Sequence, residues 1–83
     1  MNELETMIAT MRSVVEGEVC SRSRVVDALL DLRLEATGRP DVLELIDAAL
    51  AEMPGRTMVP SAWWLERLDL IGLAVVHPSE PVG

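Results

Sequence analysis

The 83-residue sequence predicts an all-α fold, a compact four-helix bundle or orthogonal helical array, on three observations. Apolar residues recur at three- and four-residue steps along most of the chain, the period of a helix with one buried face. Gly17, Gly38-Arg39-Pro40, Pro54-Gly55 and Gly72 punctuate that pattern, leaving segments of helical length between them. The apolar share is 49%, and Trp63 and Trp64 are its only aromatic members, so Leu, Val, Ile, Met and Ala must build the core.

The first helix is expected over about residues 2–17, where Leu4, Met7, Ile8, Met11, Val14 and Val15 form one stripe. Asn2 is its N-cap, Glu3 and Glu5 favour its positive end, and Gly17 stops it. A second helix starts at Ser21 or Ser23 and runs to Gly38-Arg39-Pro40. Its Val25, Val26, Ala28, Leu29, Leu30, Leu32, Leu34 and Ala36 wrap more than half the circumference, which predicts a central position. Asp41 and Glu44 make a capping-box-like start for the third, with Pro40 just ahead of it. Val42, Leu43, Leu45, Ile46, Ala49, Leu50 and Met53 face inward, and Pro54-Gly55 closes the helix.

Residues 55–60 read as a loop, and Pro60-Ser61 opens a fourth helix carrying Trp63, Trp64, Leu65, Leu68, Leu70 and Ile71. Gly72 is its expected end. Residues 73–76 are read either as a continuation of that helix or as a short extended segment packing back on the bundle. The domain is therefore placed at 1–76, followed by a flexible polar, proline-containing tail at 77–83.

The chain holds 7 Arg, no Lys and 14 acids, a net charge of −7, which repels phosphate and anionic lipid. Nucleic acid and membrane surfaces are disfavoured partners, and a basic protein is favoured through steering. The Arg-only basic set, with abundant Ala, Val and Leu, is the composition expected of high-G+C bacterial coding. Cys20 stands alone, which excludes an internal disulfide and fits a reducing compartment. MNELETM lacks the basic region of a secretory signal, and no stretch is long and apolar enough to span a membrane. The expected location is the cytoplasm.

Assembled chemistry is not expected: no catalytic, cofactor or metal residue is assigned. Asp27 with Asp31, and Glu44 with Asp47, lie on polar faces, whereas acid–base work needs two acids facing across a pocket. His77 has no second ligand at metal spacing, and Cys20 has no neighbouring base. The glycines fall at element ends and form no phosphate-cradling loop.

The tandem tryptophans carry the most information, because adjacent helical side chains point about 100° apart and one core cannot take both rings. Trp64 aligns with Leu68 and Ile71 and is expected inside. Trp63 aligns with Glu66, Arg67 and Leu70, so it either anchors a partner or tucks under the 55–60 loop or against the first helix. Trp63, Arg67 and Leu70, with Met7 and Met11 of the first helix, are the candidate interface. Arg22 and Arg24, with Arg39 if the second and third helices pair, are a candidate anion contact, although Asp27 and Asp31 follow on the same helix.

Residues 65–81, LERLDLIGLAVVHPSEP, resemble the end of a winged-helix domain, where a recognition helix runs into a turn and strand. That resemblance implies a small DNA-binding regulator as the alternative function. The helix concerned offers bases only Arg67, beside Glu66 and Asp69. The leading expectation is a non-enzymatic protein–protein interaction module, a homodimer or the regulatory subunit of a complex.

Overall fold

A computed structural model describes residues 2–77. Its elements in chain order are α1 (Glu3–Ser13), β1 (Val19–Ser21), α2 (Arg22–Glu35), α3 (Pro40–Glu52), β2 (Met58–Pro60) and α4 (Ser61–Val76). The chain is mostly helical, as expected. It is not purely α, because β1 and β2 pair antiparallel with Val19 opposite Pro60, Cys20 opposite Val59 and Ser21 opposite Met58. Three-residue strands are too short for a two-residue period to register in the sequence. The ribbon is stitched at its ends by Arg22 N–H to the Thr57 carbonyl and Ser61 N–H to the Glu18 carbonyl, each 2.9 Å. Because the strands are antiparallel, α2 and α4 leave the ribbon from its opposite ends.

α1 begins where the sequence places it: the Asn2 Oδ1 accepts the Glu5 N–H at 2.8 Å. It stops at Ser13, before Gly17 is reached. There the Val15 N–H reaches back only three residues, to the Arg12 carbonyl, and the Ser13 hydroxyl donates to the Thr10 carbonyl. This tightened last turn ends the helix, and Gly17, at φ +72°, redirects the chain toward β1.

α2 buries one stripe, Val25, Leu29 and Leu32, continued by Ala36, and leaves Leu30 and Leu34 in solvent. The expectation of a central α2 is therefore corrected. α4 holds the centre, touching α1, α3 and both strands. Among the described residues no element covers the side of α2 that carries Leu30 and Leu34. Gly38, at φ +90°, makes the α2–α3 turn, and Pro40 lies inside the first turn of α3, where its missing N–H costs no hydrogen bond. α3 buries Val42, Ile46 and Ala49, with Met53 just beyond its end.

The expected stop at Gly72 and the extended alternative for residues 73–76 are both corrected, because α4 runs through Gly72 to Val76. Trp64, Leu68, Ile71 and Val75 fall on one stripe and are all buried. Burial of Val75, at roughly 1.5–3 kcal/mol for such a side chain, exceeds the ~1 kcal/mol that a mid-helix glycine costs. Two further contacts close the helix: His77 N–H donates to the Leu73 carbonyl at 2.7 Å, and Arg39 Nη2 donates to the Ala74 carbonyl at 2.9 Å. The expected tail, apart from His77, lies outside the described residues.

Ion pairs cross three of the helix contacts at the surface: Arg12 with Asp69 joins α1 to α4, Arg33 with Asp47 joins α2 to α3, and Arg67 with Glu52 joins α3 to α4. The Asp47 hydrogen bond, and secondly its charge, hold the Arg33 guanidinium above its ordinary pKa. Exposed pairs of this kind add little energy but favour one register of the helices.

Candidate docking surface between α1 and α4

A largely apolar groove of about 580 Å³ runs along the seam of α1 and α4. Ile8, Leu68 and Gly72 make its floor, and Ala9, Leu73 and Val76 its walls. The burial of α4 explains the placement. With Trp64, Leu68, Ile71 and Val75 turned inward, Leu70, Leu73 and Val76 are left on the wet side, exposed by 41, 58 and 54%. Glu5, Arg12 and Asp69 form a charged rim of both signs, with Arg12 and Asp69 paired across the seam.

A second cleft, of about 600 Å³, opens between the end of α1, β1 and α2, with Val15, Val25, Ala28 and Trp64 among its apolar lining. Glu16, Ser21 and Arg24 are polar residues in its lining. Cys20 also lines it, half-buried, its Sγ 3.3 Å from the Ser61 Oγ. Among the described residues no group of three His, Cys, Asp or Glu is gathered in a way that could hold a metal ion.

The structure distributes the five candidate interface residues over more than one surface. Trp64 is inside, 4% exposed, and Trp63 is half-buried against the core. The Arg67 guanidinium lies over the Trp63 ring, 5.5 Å from its centroid, and bonds Glu66 at 2.7 Å and Glu52 at 3.4 Å. Arg67 Nε is buried with no hydrogen-bond partner among the described residues. Trp63 and Arg67 thus spend their contact capacity largely within the chain. Leu70 is exposed but does not line the groove. Met7 is half-buried against the core, and Met11 lines the other cleft.

The three arginines of the candidate anion contact do not converge. Arg22 Nε donates to the Pro54 carbonyl at 3.2 Å, and Arg24 lines the second cleft. Arg39 sits at the far end of α2, held by Asp41 and the Ala74 carbonyl. A 14-residue helix separates them, about 20 Å at 1.5 Å per residue.

Leu73, Val76, Gly72, Ala9 and the Glu5–Arg12 rim are the surface residues missed by sequence reasoning. The signal was present as the three-residue spacing of Leu70, Leu73 and Val76, but it is readable only once the helix is carried past Gly72. No family model, no curated protein and no solved structure matches this chain. Fold and site therefore define it only as a mostly helical chain bearing an apolar interhelical groove. No helix among the described residues is long and apolar enough to cross a membrane.

Proposed function

We propose that this chain is a non-enzymatic interaction module that docks protein through the α1–α4 groove. The observation carrying this reading is the apolar wall of Leu73 and Val76, more than half exposed, beside a groove floored by Ile8 and Leu68. Contiguous apolar surface rimmed by charge is the usual mark of a protein contact. The DNA-reading alternative gains no support from α4. Its wet face presents Glu66, Asp69, Leu70 and Leu73, and its single arginine is bound to Glu52 and Glu66.

Light scattering on the chain alone, and titration with a basic amphipathic helical peptide, test the reading together. Association is expected in at least one of them, and Leu73→Asp is expected to weaken it about tenfold or more, since hot-spot truncations commonly exceed 1 kcal/mol. A wild-type chain that stays monomeric and ignores the peptide overturns the reading.

A further inference from the structure

We infer that the occupant of the groove is an amphipathic helix of another protein, with a short apolar stripe and a Lys or Arg just beyond one end of it. That cation seats on Glu5. The inference rests on the interaction reading and names the chemistry of its partner.

The first argument is the charge left over at the rim. Arg12 is bound to Asp69 across the seam, so that end of the groove is neutralised within the chain. Ile8 lies beside Gly72, so α1 and α4 run antiparallel and Glu5 falls next to Val76 and the last turn of α4. Glu5 is half-buried in the groove wall, and its carboxylate makes no ion pair among the described residues. The last turn of α4 adds the negative end of a helix dipole and carries no basic side chain. Arg39, at the start of α3, donates to the Ala74 carbonyl there but is itself bound to Asp41. One end of the groove is thus neutral and the other negative, so a cation on the occupant is held best at the Glu5 end.

The second argument is the backbone. The groove is walled by two helices, whose N–H and C=O groups are bonded within the helices. An extended segment laid between them would bury its own backbone groups without partners. A helix satisfies those groups internally and presents apolar side chains at three- and four-residue steps. Glu5 and Arg12 stand two turns apart on α1, about 10 Å, which sets the length of stripe the groove accepts.

The third argument is the charge of the whole chain. At −7 it steers a basic segment toward the groove and opposes a second copy or any acidic helix.

Fluorescence titration of the full chain with two synthetic helical peptides is the test. Both carry the same leucine stripe; one has Lys a turn beyond it and the other has Gln there. Wild type is expected to bind the Lys peptide about three- to fivefold tighter, the upper range for a pair only partly desolvated. Glu5→Gln is expected to bind the two alike, and Leu73→Asp to lose both. Glutamine suits the third position of a capped helix as glutamate does, so Glu5→Gln should melt near wild type. If that variant does not fold, the two peptides on wild type decide alone. Equal binding of the peptides by wild type, or a Lys preference that survives Glu5→Gln, overturns the inference and keeps the interaction reading. Self-association with neither peptide bound does the same. A chain that neither self-associates nor binds a peptide overturns both, as does peptide binding that Leu73→Asp leaves intact.

Discussion

At the residue scale, two glycines in this chain do opposite work. Gly38, at φ +90°, makes the α2–α3 turn in a conformation that an L side chain adopts at a cost of about 1–2 kcal/mol. Gly72 sits in a helix with room for a methyl. Gly38→Ala is accordingly expected to destabilise the chain by about 1 kcal/mol or more, and Gly72→Ala to stabilise it by up to about 1 kcal/mol. Chemical denaturation of the two variants checks both signs, and equal effects would show that position 72 has no room for a methyl beside Ile8. Trp63 makes a related point. Its ring is indeed placed apart from that of Trp64, but a guanidinium from the next turn covers it, so an exposed position on the helical wheel did not translate into an exposed indole.

At the element scale, α4 is where local preference and tertiary packing disagree. Glycine at position 72 signals a stop, and burial of Val75 overrides it. Arg39 supports the outcome from outside the helix by binding the Ala74 carbonyl, a cation at the negative end of the helix dipole. Arg39→Gln should therefore loosen the last turn of α4 alone. Faster amide exchange at Val75, Val76 and His77, with Trp64 and Leu68 unchanged, is the expected result. Uniform change along α4 would show that Arg39 acts on global stability instead. The ribbon of β1 and β2 is the other such element. Its inward residue Val59 is fully buried although the sequence presents residues 55–60 as a loop.

At the scale of the whole molecule, the −7 charge acts against association of two identical chains. At physiological salt the Debye length is about 8 Å, so that repulsion is partly screened and the apolar contact determines the outcome. Self-association through the apolar groove is consequently expected to strengthen as salt is added, because screening weakens the overall repulsion and leaves the apolar contact. Binding of a basic peptide should show the reverse trend. Sedimentation across a salt series separates the two, and a dimer that dissociates with added salt would place its contact at an ionic rather than an apolar face.

Sequence alone determined the four helices, the Asn2 cap, the acidic surface and the centres of the buried stripes, Leu4 and Ile8 of α1, Val42, Ile46 and Ala49 of α3, and Trp64, Leu68 and Ile71 of α4, whereas Val14, expected in the first stripe, lies past the end of α1 and is exposed. These are local properties, written in residue spacing and in side chains that act on their own neighbours. Tertiary structure decided the rest: the β1–β2 ribbon, the persistence of α4 beyond Gly72, the peripheral place of α2 and the groove that α1 and α4 share. Each of these joins residues distant in the chain, so it depends on which surfaces remain uncovered after packing. The wet face of α4 became a site only because Val75 is buried and Ile8 stands across from Gly72.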